Sequence, residues 1–184
     1  MSNTSKKNLH WLCTCAMLVA LEIVLNRFCS INTAGLKIGF SFVPPMLAAM
    51  LYGPVTAGLV YGLADLLGAM CFPIGPYHPG FTICAVGMGL VLGFALYRKQ
   101  LSVLWVAVPV LVNCLVLGLC VNTLWVSQLY GSKTYWGWFL YRLPEYALLV
   151  PVQILFAPVL KRLAEMLRRT GLAGNTVIQR GVRS

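Results

Sequence analysis

The chain has 184 residues, of which 59% are hydrophobic and only 10% are charged. Soluble domains carry about 25% charged residues, so this composition excludes a water-soluble fold and indicates that lipid is the solvent for most of the chain. The net charge of +10 comes from basic residues at the ends of apolar runs, which indicates membrane topology rather than a nucleic-acid-binding face.

Six apolar runs predict six transmembrane helices, because about 20 apolar residues cross the hydrocarbon core of a bilayer. The first run contains Glu22 and lacks a small-residue cleavage site, so we interpret it as a retained span and not as a signal peptide. The second run is the shortest, and we expect it to be tilted or partly re-entrant. The predicted spans are Leu9–Asn26, Phe40–Tyr52, Val55–Phe72, Phe81–Tyr97, Leu101–Ser127 and Trp136–Leu160.

The first span and the loop after it carry an alanine pair and two cations. Ala16 and Ala20 have the four-residue spacing at which small residues let helices approach closely in lipid. Packing inside the bundle and contact with a partner helix are both open for this pair. Arg27 ends the span, and Lys37 lies in the polar loop Phe28–Gly39. Arg27 either snorkels to the interface or attracts an anionic ligand.

The next two spans are joined by Gly53-Pro54, which predicts a tight turn. Span 3 contains Asp65, an acid within the membrane that either belongs to a packed polar shell or contacts polar groups of a ligand. Spans 3 and 4 also carry small-residue pairs, which we expect to pack inside the bundle. These pairs are Gly58-x-x-x-Gly62 and Gly89-x-x-x-Gly93.

The stretch between spans 3 and 4, FPIGPYHPGFT, is too rich in proline and glycine to continue a helix. Its prolines fix φ, so we expect a stiff loop on the outer face. We expect Gly80 to turn the backbone into span 4, and Thr82 to cap that helix or contact a ligand. The candidate ligand contacts in this stretch are Phe72, Tyr77, His78, Gly80 and Thr82.

The last two spans place polar side chains inside the membrane. Asn113 and Asn122 lie in span 5, which has no charge, and buried amides must find partners on neighbouring helices or on a ligand. In span 6, Arg142 and Glu145 are three residues apart on one helix face. A structural ion pair between these two and a role of Arg142 in attracting an anionic ligand are both open.

The distribution of basic residues predicts that both termini are cytoplasmic. Residues 1–8 then form a cytoplasmic N-terminus, residues 9–165 a six-helix membrane domain, and residues 166–184 a basic cytoplasmic tail. The ten Lys and Arg residues assigned to the inner face are Lys6, Lys7, Arg98, Lys99, Lys161, Arg162, Arg168, Arg169, Arg180 and Arg183. The four assigned to the outer face are Arg27, Lys37, Lys133 and Arg142.

No motif in the sequence indicates an enzyme or a metal site. The chain lacks the ATP-binding motif G-x-x-x-x-G-K-[ST], and His10 and His78 belong to no ligand constellation. The seven cysteines lie mostly within apolar runs and predict neither a disulfide framework nor a zinc site. We therefore expect no enzyme activity, no metal and no cofactor. The pattern favours an outward-facing pocket of aromatics, amides and cations, which suits a flat, anionic small molecule.

Four segments carry a family resemblance: LYGP-x-x-AG (Leu51–Gly58), GLADLLGA (Gly62–Ala69), FPIG-x-Y-x-PGFT (Phe72–Thr82) and RLPEYALLVPVQI (Arg142–Ile154). They resemble the substrate-binding S components of energy-coupling factor (ECF) vitamin transporters, specifically the folate-specific, FolT-like branch. The resemblance covers about residues 9–165. It implies a six-helix all-α membrane protein with the S-component fold, which captures folate with high affinity at the outer face of a prokaryotic cell membrane.

The resemblance also implies partners. In this family the S component works with a transmembrane coupling subunit (EcfT) and two cytoplasmic ATPases (EcfA and EcfA'), and it is thought to deliver its substrate by toppling in the membrane. ATP hydrolysis would then belong to the partners, which fits the absence of an ATP-binding motif. Ala16 and Ala20 match the Ala-x-x-x-Ala motif with which the family contacts the coupling subunit.

The implied ligand leads to a prediction for the site. A glutamate tail needs cations, and we expect these to be Arg27, Lys37 and Arg142. A pterin ring needs aromatic walls and paired hydrogen-bonding groups. We expect the Phe72–Thr82 loop and the loop between spans 5 and 6 to cap the ring, with Asn113 and Asn122 as further contacts. The alternatives are an S component for another vitamin or pterin, a stand-alone ion-coupled carrier that uses Asp65 and Glu22, and a membrane enzyme acting on lipid.

Overall fold

A computed structural model of the chain describes residues 3–33, 36–73, 75–97, 103–131 and 133–169. These residues form seven α-helices, one π-helical segment and one β-hairpin. In chain order the elements are α1 (Asn3–Arg27), β1 (Ile31–Thr33), β2 (Leu36–Ile38), α2 (Val43–Tyr52), α3 (Pro54–Cys71), α4 (Pro79–Leu96), α5 (Val103–Leu111), the π segment (Val112–Val121), α6 (Asn122–Tyr130) and α7 (Tyr135–Arg169).

Five helical stretches of the described chain are long and apolar enough to cross a membrane. Together with the shorter α2 they make the predicted bundle of six helices. The five stretches are Asn8–Arg27, Pro54–Cys71, Pro79–Leu96, Trp105–Tyr130 and Tyr135–Arg169, of which the fourth combines most of α5, the π segment and α6.

Helix α2 is short and buried from its second residue to its end. It begins at Val43, later than the predicted Phe40, because Pro44 and Pro45 lack an N–H and are tolerated only in the first turn. Its 10 residues extend about 15 Å, half the thickness of the hydrocarbon core. Every residue from Pro44 to Tyr52 is buried, so α2 lies in the core of the bundle and is not a lipid-facing span.

The loop predicted between the first two spans contains regular structure. Strand β1 pairs with β2 in antiparallel register, with Ile31 opposite Ile38 and Thr33 opposite Leu36. The hairpin returns to the end of α1, where Gly39 lies against Ser30 so closely that an added Cβ would be 2.6 Å from the Cβ of Ser30. Lys37 lies on β2, but its side chain is outside the part of the chain that the structure describes.

Helices α3 and α4 pack against each other through the two predicted glycine pairs. A Cβ added to Gly89 would lie 2.5 Å from the carbonyl oxygen of Ala57, and one added to Gly58 would lie 3.3 Å from that of Val86. The backbones can approach this closely only because the side chains are missing. The prediction that these small residues pack inside the bundle is therefore confirmed.

The last helix, α7, extends nine residues beyond the predicted end of span 6 at Leu160. It continues through the predicted boundary at residue 165, and near its end the Arg168 guanidinium donates a hydrogen bond to the carbonyl of Met50 in α2. This contact satisfies a carbonyl in the last turn of α2. Most of the predicted basic tail, residues 170–184 with Arg180 and Arg183, lies outside the described residues, as do Arg98 and Lys99.

Candidate functional site

A cavity of about 320 Å³ opens at the end of the bundle where α1, α3 and α6 end and where α4 and α7 begin. This volume is within the range of small-molecule sites. Each of three helices contributes one stripe of side chains at helical spacing. The stripes are Tyr61, Asp65 and Ala69 on α3; Phe81, Ala85, Met88 and Leu92 on α4; and Arg142, Glu145, Tyr146, Leu149 and Gln153 on α7.

The proline-rich stretch forms one wall of the cavity mouth. Pro73, Gly75, Pro76 and Tyr77 line the cavity. Gly75 approaches α6, since a Cβ added to it would lie 2.9 Å from the hydroxyl of Tyr130. The stretch therefore closes the gap between α3, α4 and α6, which a plain connector would not do.

Phe72 lies outside this cavity wall. Its ring is exposed and makes an edge-to-face contact with Phe28, with the ring centroids 5.3 Å apart. That pair ties the end of α3 to the end of α1. The structure thus gives Phe72 a packing contact at the rim, while its predicted contact with a ligand stays a prediction.

Tyr77, Thr82 and Asp65 form a hydrogen-bonded chain across the mouth. The Thr82 hydroxyl donates to Asp65 Oδ2 at 2.8 Å, and the Tyr77 hydroxyl lies 2.8 Å from the same Thr82 oxygen. Because Thr82 has one proton and gives it to Asp65, Tyr77 must be the donor to Thr82. The expectation that Thr82 caps α4 is wrong, since its hydroxyl is committed to α3. Tyr77 and Asp65 line the cavity, and Thr82 holds both in place.

His78, and not Thr82, caps the first turn of α4. Its Nδ1 accepts a hydrogen bond from the backbone N–H of Gly80 at 3.0 Å, and its ring stacks on Trp125 with centroids 4.8 Å apart. Gly80 is buried beneath the same indole, where an added Cβ would lie 2.5 Å from Trp125 Cε2. Neither His78 nor Gly80 is part of the cavity wall, so both position the start of α4 against α6.

Arg27 lies in the cavity wall and faces inward across α3. A Cβ added to Gly68 would lie 3.0 Å from Arg27 Nε, so the guanidinium rests on the α3 backbone and does not snorkel away from the bundle. Its Nε is buried without a hydrogen-bond partner among the described residues, and no described carboxylate forms an ion pair with it. Arg27 therefore offers an uncompensated positive charge to the cavity.

Arg142 also lines the cavity, but the Glu145 carboxylate already compensates its positive charge. Its Nε lies 3.5 Å from Glu145 Oε2, and both side chains are more than nine-tenths buried. One terminal nitrogen donates to Thr123 Oγ1 at 3.2 Å and the other to the Tyr146 hydroxyl at 2.8 Å. Of the two readings left open by the sequence, the structural ion pair is therefore formed.

Asn113 and Asn122 both reach the cavity from the fifth span. Asn113 is buried, and its Nδ2 donates to the carbonyl of Met88 on α4 at 3.0 Å. The Oδ1 atoms of Asn113 and Asn122 are buried and have no hydrogen-bond partner among the described residues, and the same holds for Oδ1 of Asn26. Asp65 uses only one carboxylate oxygen in the bond with Thr82. The cavity is therefore rich in acceptors.

Several wall residues were missed by the sequence reasoning, notably Tyr61, Tyr146 and Gln153. A signal was present in α7, where Arg142, Tyr146 and Gln153 recur with helical spacing along one face of the helix, among mostly apolar residues. Gln153 is buried and donates to the sulfur of Cys114 at 3.5 Å, which links α7 to the π segment.

The predicted alanine pair lies on a surface away from the cavity. Ala16 and Ala20 are exposed on α1, so the described part of the bundle leaves this small-residue stripe uncovered.

Within the described residues, no group of three or more His, Cys, Asp or Glu side chains could hold a metal ion. The arrangement is suited to binding an organic ligand between aromatic, amide and cationic side chains.

Comparison with known proteins gives consistent matches. Residues 6–165 match the family model of the S component of the ECF-type riboflavin transporter. The chain is 39% identical over 137 residues to the folate transporter FolT of Clostridium novyi (strain NT), which covers 74% of this chain and 79% of the relative. It is 30% identical over 144 residues to the folate transporter FolT of Leuconostoc mesenteroides subsp. mesenteroides, covering 76% and 77%.

A solved structure resembles the fold over most of its length. The crystal structure of FolT bound with folic acid is similar with a TM-score of 0.76 and 30% sequence identity, over 82% of this chain and 90% of that chain.

Proposed function

Since this chain belongs to the S-component family of ECF-type transporters, we propose that it is the folate-binding subunit of such a transporter, with folate held in the cavity at the outer end of the bundle. The observation that carries the proposal is the likeness, at 39% and 30% identity, to two proteins named as folate transporters. The fold shared with FolT bound with folic acid supports it.

Riboflavin is the second candidate, because the matching family model is named for it. The chemistry of the cavity favours folate. The buried amide oxygens of Asn113 and Asn122 need N–H donors. A pterin ring carries an amino group and a ring N–H along one edge, whereas the isoalloxazine ring of riboflavin carries a single ring N–H. Folate also carries N–H groups in its bridge and tail, and its glutamate carboxylates suit Arg27, whereas riboflavin is uncharged.

A ligand panel tests the proposal directly. Purified protein should be titrated with folate, riboflavin, thiamine and biotin by calorimetry, and the small molecules that copurify with it should be identified by mass spectrometry. We expect tight binding of folate and none of the others. Tight binding of riboflavin without folate would move the chain to the second candidate.

The cavity suggests how folate lies within it. Aromatic rings from three helices line the cavity, including Tyr61, Phe81 and Tyr146, and these are the groups that pack against a flat heterocycle. The uncompensated cation Arg27 lies at the mouth, where α1 ends. We therefore orient the pterin ring inward and the glutamate tail towards Arg27.

The Arg27→Ala variant should bind folate about 10-fold or more weakly, because a charge-assisted hydrogen bond to the tail is worth roughly 1.5–3 kcal/mol. Pteroate lacks the glutamate tail, and its affinity should change less than 3-fold. The measurement is calorimetric titration of both ligands. Lys133→Ala is the matched control, because Lys133 is an outer cation that stacks on Tyr141 at 4.3 Å, away from the cavity wall. Equal losses for folate and pteroate would contradict the charge interaction.

Transport itself requires partners. We propose that the chain docks on a coupling subunit (EcfT) served by two ATPases (EcfA and EcfA'), in the plasma membrane of a prokaryote and with both termini inside. Both relatives named above are bacterial. The exposed pair Ala16 and Ala20 on α1 supplies a surface on which a partner helix can approach closely. Toppling of the docked bundle would then carry the outer cavity to the inner face.

The double variant with Ala16→Leu and Ala20→Leu should no longer copurify with the coupling subunit, and its affinity for folate should be unchanged. The larger side chains keep two helix backbones from approaching, yet they lie far from the cavity. Ala147→Leu is the control, since Ala147 is an exposed alanine on α7. Pull-down of the co-expressed partners measures the first effect and calorimetry the second. Retained copurification of the double variant would place the docking surface elsewhere.

A further inference from the structure

The fifth span contains a long departure from α-helical geometry. Its central ten residues, Val112–Val121, form a π-helix between α5 and α6. Such segments are rare, because their i→i+5 hydrogen bonds are less favourable than those of an α-helix. Where they do occur, they are frequently found at functional sites. A ten-residue example therefore needs an explanation in what it positions.

Burial within this segment follows the wide turn. Asn113 and Cys114 are buried, then Gly118 and Leu119, with the exposed Val116 between them. The repeat is five residues, whereas an α-helix would bury every third or fourth residue. One residue of each buried pair contacts α7. An added Cβ on Gly118 would lie 2.5 Å from Tyr146 Cε1, and Cys114 accepts from Gln153.

The wide turn changes which amides share a face. Asn113 and Asn122 are nine residues apart, so an α-helix at about 100° per residue would point them in opposite directions. A π-helix has roughly 4.4 residues per turn, and nine residues then make about two full turns. Both side chains consequently line the same cavity, and each brings a buried Oδ1 that has no partner among the described residues.

We propose that the π segment determines ligand specificity by placing the side-chain oxygens of Asn113 and Asn122 on one wall of the cavity. These two acceptors would bind two separated N–H groups of an elongated ligand. The two residues are on the order of 10 Å apart along the helix axis. Asn113 contacts Met88 in the middle of α4 and is the deeper acceptor, and Asn122 is nearer the mouth. This inference rests on the proposed function: the deep donor belongs to the pterin ring and the second to an N–H of the bridge or tail.

The test compares a long ligand with its ring alone, in calorimetric titrations of the purified full chain with folate and with pterin. Asn122→Leu should weaken folate binding about 10-fold or more and change pterin affinity less than 3-fold, because only folate reaches the outer acceptor. Asn113→Leu should weaken both. Gln128→Leu is the control, because Gln128 is an exposed amide on α6 outside the cavity wall.

Deletion of Val116 tests the helix geometry itself. Removing one residue from the π segment rotates the following residues by about a quarter turn about the helix axis. The Asn122 side chain then no longer lines the cavity. The shortened protein should resemble Asn122→Leu, and Val116→Ala, which keeps the residue count, should resemble the wild type. If the shortened protein does not fold, Asn122→Leu decides the question. Unchanged folate affinity in Asn122→Leu, or equal losses for folate and pterin, would overturn the inference. A wild-type protein that binds no folate would instead refute the proposed function.

Discussion

Replacing Gly93 with alanine should destabilise the bundle by about 3 kcal/mol, at the upper end of what overpacked cores lose. The added Cβ would lie 2.5 Å from the backbone nitrogen of Pro54 and closer still to its Cα. A flexible side chain could move aside, but here the obstacle is the backbone at the first turn of α3. The helices α3 and α4 would have to separate where the Gly53-Pro54 turn holds them.

Gly87→Ala is the matched control on the same helix. A Cβ at Gly87 would meet Leu117 Cδ1 at 3.7 Å, which is an ordinary van der Waals contact. Alanine is favoured over glycine within a helix by roughly 1 kcal/mol, so this variant should be neutral or slightly more stable. Thermal unfolding in detergent, followed by size-exclusion fluorescence, measures both. If the two variants melted at the same temperature, close packing of α3 on α4 would not limit stability.

The sequence predicted the helices well because each long apolar run has one physical solution in lipid, a hydrogen-bonded helix. It also predicted that the glycine pairs pack, since glycine has little other use inside a transmembrane helix. The hairpin of β1 and β2 was missed because three-residue strands have too few positions to show alternation. The depth of α2 was missed because burial on all sides depends on neighbours distant in sequence.

The sequence predicted which residues lie at the candidate site better than it predicted what each of them does there. Arg27, Tyr77, Asn113, Asn122 and Arg142 were identified as polar or charged residues at unusual positions, and all five line one cavity. Their roles as ligand contacts remain predictions.

The roles of the neighbouring residues depend on contacts that no local pattern encodes. Thr82 bonds with Asp65 seventeen positions away, and His78 stacks on Trp125 from another helix. The π segment was missed because the helical reading assumed 3.6 residues per turn. The five-residue recurrence of Asn113, Gly118 and Thr123 was the available signal.

Arg142→Met should be the most damaging change within the cavity wall, with a loss of about 3–5 kcal/mol. It removes the guanidinium from the buried Glu145 carboxylate and takes the donors from Thr123 and Tyr146. The double variant Arg142→Met with Glu145→Leu should recover most of this stability, because replacing a whole buried ion pair by apolar groups is often neutral.

A second ion pair on the same helix provides the control. Lys161 and Glu165 are 3.9 Å apart with side chains 38% and 52% exposed, and an exposed pair is worth about 0–1 kcal/mol. Lys161→Met should therefore leave thermal unfolding nearly unchanged. If Arg142→Met were equally mild, the buried pair would not carry the stability that its geometry indicates.

The double variant also separates two roles that the sequence could not distinguish. If Arg142 acts only by holding α7 against α6 through Thr123, a stably folded double variant keeps its affinity for folate. If the guanidinium donates directly to the ligand, the double variant folds but binds folate about 10-fold or more weakly. Folate titration of this variant beside Arg27→Ala therefore assigns the positive charge that faces the glutamate tail. Because Glu145 already compensates Arg142, we expect the larger loss of affinity in Arg27→Ala.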